Sequence, residues 1–278
     1  MAVNYIVNSE CNAKRALGDG DHLKGTVHIL ALLKARDRAA ALRDMATRDG
    51  RSPEGMAVIV RTVNADGSTA EKSVTYEDLL SQASGLEPYT SACSGCQANF
   101  LSKPFGCFGV LNFPVCRGSE EWLMSRLQPI TTIGGQLIMA AVKDFRYTGE
   151  SIKTMRAAGL FESSKPIKRA FKTGFLLKFV ITSDQLFETI LSVGEYLDPG
   201  HCMGILLWLG AIRLDGTIPT SPAEVEAISE LTTTAQRTER TTLELGPATN
   251  HPAILAMHSL LRGLFTSWTQ SAAILISD

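Results

Sequence analysis

Four of the chain's six cysteines fall within a stretch of 24 residues, as Cys93-Ser94-Gly95-Cys96, then Cys107, then Cys116. Two thiolates three positions apart around a tight turn can grip one metal from one side, and a glycine between them lets backbone amides turn toward the sulfurs. Cys107 sits in Phe105-Gly106-Cys107-Phe108-Gly109, where glycine on either side eases the wrapping of chain around a small ion. Four such thiolates can close a tetrahedral site without help from distant elements, so that metal binding and local folding become one event. The surrounding residues 87–118 hold three prolines and four glycines and show no regular apolar period. They read as an irregular four-cysteine metal-binding module with Cys93, Cys96, Cys107 and Cys116 as ligands.

Zinc is the metal this donor set favours. The second pair departs from the two-residue spacing of a double-knuckle ribbon. Three alternatives therefore stay open: an iron–sulfur cluster on the same four thiolates, a redox pair of Cys93 and Cys96, and four reduced cysteines in an apolar core. A zinc ion held by four thiolates has no open position for water, so it would staple the chain rather than catalyse. Phe100, Phe105, Phe108 and Phe113 would then shield the sulfurs or dock a partner.

The rest of the chain is mostly helical in pattern. In residues 22–48, Val27, Leu30, Leu33, Leu42 and Met45 recur at helical intervals among charged residues, and Asp49-Gly50 supplies a stop. Residues 57–74 read as a β-hairpin around a turn at Asn64–Gly67. Thr75 with Asp78 forms a capping-box pattern, and Ser221-Pro222-Ala223-Glu224 is a second, with Pro at the first helical position. Helices are expected over 120–127, 133–145, 184–197, 199–212 and 252–268, with a buried strand within 174–182 and a closing strand near the C-terminus. One hairpin among many helices, with no strand–helix–strand rhythm, predicts a helix-dominated α+β fold. The division expected is an N-terminal region, 1–128, that carries the cysteine module, and a mainly helical region, 129–278, or else one continuous domain.

A hydrophobic content of 45% with a net charge of −1 excludes disorder as the dominant state. The longest strongly apolar run, Met203–Ile212, has ten residues, against the roughly 20 that a bilayer-spanning helix needs. The first residues lack the basic lead and apolar stretch of a secretory signal, so the expected compartment is the cytoplasm, where thiols stay reduced.

Charge is unevenly distributed. From Lys143 to Lys178 there are nine Lys and Arg against three Asp and Glu, a net +6, which leaves the remaining chain at −7. Within that segment Lys165, Lys168, Arg169, Lys172 and Lys178 interleave with Phe171, Phe175 and Phe179. Basic side chains neutralise phosphates and aromatic rings stack on unpaired bases, which points to nucleic acid or an acidic protein as partner. The plainer alternative turns the phenylalanines to the core and the lysines to solvent.

Other candidates are weaker. Gly18-Asp19-Gly20-Asp21-His22 offers carboxylates and an imidazole but precedes a helix, where such residues serve as caps. His251 and His258 are two helical turns apart, about 10.5 Å by helix rise, too far to share one metal. Cys202 follows His201 near a helix start, but neighbours in a helix point about 100° apart, so the imidazole is badly placed to activate that thiol. No phosphate loop, nucleophile elbow, zinc-protease or dinucleotide motif is present, and no residue stands out as nucleophile or base. The sequence thus predicts a zinc-stabilised binding or assembly protein that engages a polyanion through residues 143–178. The alternative is an iron–sulfur enzyme or redox protein.

Overall fold

The computed structural model describes residues 2–63, 69–172, 178–191 and 196–277. It is mixed α/β, with about 52% helix and 18% strand in small antiparallel sheets. The chain packs into two compact units, residues 10–96 and residues 1–9 with 97–278. The boundary expected at 128/129 lies within the second of these.

After strand β1 (Ala2–Val7), the smaller unit contains α1 (Asn12–Leu17), α2 (His22–Arg48), β2 (Ala57–Val63), β3 (Thr69–Thr75), α3 (Tyr76–Ala83) and a 3-10 helix over Ser84–Cys93. Asp21 starts α2 by accepting from the amides of Leu23 at 2.9 Å and Lys24 at 3.3 Å, which realises the capping alternative for the 18–22 cluster. The helix turns Ala35, Ala39 and Leu42 onto Val74 and Leu79, with Met56, Val58, Val60 and Tyr76 packed around them. Two residues assigned to the apolar face are not on it: Val27 is 68% and Met45 42% exposed. The small side chains of Ala35, Ala39 and Ala46 take buried positions on α2 instead. β2 and β3 pair from Ala57 with Thr75 to Val63 with Thr69; the expected turn at 64–67 lies outside the described residues. Thr75 and Asp78 form the predicted capping box.

The larger unit continues from β1 with β4 (Phe108–Asn112), α4 (Arg117–Arg126), α5 (Ile133–Asp144), α6 (Glu150–Ala157), β5 (Lys168–Lys172), β6 (Lys178–Thr182), α7 (Ser183–Leu191) and β7 (Tyr196–Leu197). There follow α8 (Pro199–Trp208), β8 (Ile212–Leu214), α9 (Pro222–Ser229), α10 (Thr234–Arg240), β9 (Thr241–Leu243), α11 (Pro252–Thr269) and β10 (Ile274–Ser277). Its main sheet runs β4-β1-β10-β7, so the two ends of the chain are its central strands. Val3 to Val7 are all buried, which marks β1 as covered on both faces. Tyr5 pairs with Gly109, and a Cβ at that glycine would fall inside the Tyr5 ring. The same ring stacks on Phe100 with centroids 5.8 Å apart.

α11 lies along this core and buries Met257, Leu260, Leu261, Leu264 and Trp268. Each such side chain contributes about 1.5–3 kcal/mol through its removal from water. The predicted box at Ser221 and Glu224 caps α9, with Pro222 at its start.

Candidate functional site

The basic segment becomes a two-stranded hairpin of β5 and β6, in register from Lys168 with Thr182 to Lys172 with Lys178. Alternation along a strand sends successive side chains to opposite faces. Arg169, Phe171 and Ile181 share the inward face, where Ile181 is fully buried and Phe171 only 7% exposed. Lys168, Ala170 and Lys172 point outward to solvent, and Val180 beside them is 42% exposed. The expected interleaving of rings with lysines on one surface is thus resolved by the pleat: Phe171 packs inward, opposite Lys168 and Lys172. Phe175 lies outside the described residues.

Arg169 leaves the outward set as well. Its guanidinium sits over the Phe171 ring at 5.1 Å and donates through Nη1 to the carbonyls of Met124 at 2.6 Å and Ser125 at 3.0 Å. Those carbonyls belong to the last turn of α4, whose dipole is negative at that end, so Arg169 serves as a helix C-terminal partner. Burial pulls its pKa below the usual arginine value.

Two further cations of the segment are committed elsewhere. Lys153 pairs with Glu150 at 2.7 Å. Arg156 is buried between Glu120 and Asp184; burial pulls its pKa down, and the hydrogen bonds and charges of the two carboxylates more than reverse that. Among the described residues, the exposed cations of the segment outside those pairs are Lys143, Arg146, Lys165, Lys168 and Lys172. The Lys143 ammonium lies 5.8 Å from the centroid of the Phe179 ring on β6, which brings one more charge beside the hairpin.

The cysteines are placed differently from each other. Cys93 ends the 3-10 helix, and Cys96 turns back to it, its amide donating to the Cys93 carbonyl at 3.4 Å. Cys107 is buried directly before β4, its carbonyl accepting from Val7 at 3.0 Å. Cys116 is the N-cap of α4, beyond the far end of that strand. Among the described residues no group of three or more His, Cys, Asp or Glu stands in a position to hold a metal ion. Cys202 is fully buried, hydrogen-bonded by the Ser267 hydroxyl at 3.3 Å, and burial pushes its thiol pKa up to about 12.

No helix among the described residues is long and apolar enough to cross a membrane. Comparison with protein families, curated proteins and solved structures finds no match for this chain, so its function has to be read from its own residues.

Proposed function

We propose that this protein binds a polyanion through the outward face of the β5–β6 hairpin, with the phosphate backbone of a nucleic acid as the ligand. One observation carries the reading: Lys168 and Lys172 project to solvent from a hairpin whose two strands contain no carboxylate. Lysines on a β-ribbon suit phosphate contacts, which position a nucleic acid without reading its sequence. With Phe171 turned inward, base stacking is not part of this reading.

The experiment is fluorescence anisotropy with a single-stranded DNA of about 20 nucleotides, sized to span several phosphate contacts, titrated over a series of salt concentrations. Binding should weaken steeply with salt, and changing Lys168 and Lys172 to Ala should lower the log–log salt slope by about 0.7 per lysine on this single strand. Equal affinity and slope in the double variant would remove the hairpin from the binding surface.

A further inference from the structure

A second, unrelated feature lies where α4 and α11 both begin. A cavity of about 350 Å³ is walled by Leu111, Pro114, Val115 and Ala256 and carries three reactive side chains at its edge, Cys116, Ser119 and His251. The volume falls in the range of small-molecule sites, as does an apolar wall with a few convergent polar groups. Cys116 is half-buried and His251 exposed, so both remain reachable from solvent.

The three groups are arranged by the two helix starts. Cys116 is the N-cap of α4 and His251 the N-cap of α11, with Pro252 at the first position of the latter. Ser119, one turn into α4, donates to the Ala253 carbonyl at 3.2 Å and thereby ties the two helix starts together. With that hydroxyl proton committed, the Cys116 thiol is the donor in its 3.6 Å contact with Ser119 Oγ. Gly118 leaves a gap between thiol and imidazole. The point where its Cβ would stand is 3.6 Å from Cys116 Sγ, 3.5 Å from His251 Cε1 and 4.0 Å from His251 Nε2.

The nucleophilic form of cysteine is the thiolate, so a thiol that reacts needs a base to take its proton. A nucleophile with an imidazole close by, at the rim of an apolar pocket, is the constellation required for acyl transfer. Contacts between such groups are commonly long before substrate binds. We propose that Cys116 is a nucleophile that accepts a small apolar acyl group from an ester or thioester, with His251 as its general base. The imidazole takes the thiol proton as sulfur adds to the carbonyl carbon. The bond from that carbon to the leaving oxygen or sulfur then breaks, and the leaving group takes the proton back from the imidazolium. In the second half His251 takes a proton from water as its oxygen adds to the acyl carbon. The carbon–sulfur bond breaks, the thiolate recovers the proton, and a carboxylic acid is released.

The test uses p-nitrophenyl butyrate on the full chain, with nitrophenolate release followed by absorbance and the adduct located by peptide mass spectrometry. One butyryl group per chain is expected on Cys116, formed faster than on free N-acetylcysteine at the same pH. Cys116→Ala should abolish that adduct, and His251→Asn should slow acylation by about 100-fold. Gly118→Ala supplies an independent check, because its methyl group meets only ordinary contacts and enters the gap between the two reacting groups. That variant should melt no lower than the parent and still acylate more slowly. Acylation elsewhere, a rate equal to the free thiol, or an unchanged rate in His251→Asn would each overturn the proposal.

Discussion

The guanidinium of Arg156 meets the carboxylate of Glu120 in a two-pronged pair, Nη1 to Oε1 at 3.1 Å and Nη2 to Oε2 at 2.7 Å. Both side chains are shut away from water, Arg156 at 4% and Glu120 at 0% exposure. Asp184 completes the group by accepting from Arg156 Nε at 3.1 Å and Nη2 at 2.6 Å, and the Ser183 hydroxyl donates to Glu120 at 2.7 Å. Glu120 lies on α4, Arg156 on α6 and Asp184 on α7, so one planar cation joins three helices. Phe161 closes one face of it at 4.4 Å.

Removing the cation should therefore cost far more than a surface pair would. Arg156→Ala leaves two carboxylates buried side by side, and a loss of about 3–5 kcal/mol is expected. Arg156→Lys should recover little of it, since an ammonium cannot present parallel donors to two carboxylates at once. Urea unfolding of both variants measures this. A loss below about 1 kcal/mol, the range of exposed pairs, would show that the three helices do not depend on this charge.

A glycine in α2 gives a prediction of opposite sign to helix propensity. Alanine in a helix interior is worth about 1 kcal/mol over glycine, but a Cβ at Gly25 would land on the backbone carbonyl of Lys14 in α1. Gly25→Ala should push the two helices apart and destabilise the protein by about 1–3 kcal/mol. Thermal unfolding beside Gly118→Ala separates the effects: the second variant should hold or raise the melting temperature, and the first should lower it. A Gly25→Ala protein as stable as its parent would mean that α1 does not rest on this position.

What the sequence showed and what it hid divide along one physical line. Local signals carried through: the stop at Asp49-Gly50, the capping box at Thr75 and Asp78, the cap at Ser221 and the long helix after Pro252 each depend on neighbours within a turn. Pairing between distant residues left no comparable trace. β1 and β10 join residues more than 260 positions apart, and nothing periodic marks Ala2–Val7 as a central strand. β4 was hidden among the glycines and prolines of the cysteine-rich stretch, because Gly109 looks like a turn residue and is in fact the floor under Tyr5. The hairpin lysines were visible as charge, but only the register separates Lys168 and Lys172 from Arg169 and Phe171. Cys116 and His251 belong to no short motif, and two helix starts that the sequence places far apart bring them to one cavity.

His258 should make stability depend on pH. Its ring is 5% exposed and lies edge-on to Trp122, with centroids 5.1 Å apart. Burial lowers its pKa below the usual 6.5, the nearby Arg262 and Arg126 lower it further, and a hydrogen bond with the Leu245 backbone works the other way. The unfolded chain therefore takes up a proton near pH 6.5 while the folded protein stays neutral until lower pH. Between those two points the unfolded state binds more protons, so stability is fully present above about pH 6.5 and falls as pH drops through the window. His258→Phe keeps a ring against Trp122 and removes the titration. The urea midpoint of the parent should fall relative to that of the variant between pH 7.5 and pH 5.5. A difference that stays constant over that range would mean that His258 takes its proton as readily in the folded core as in the unfolded chain.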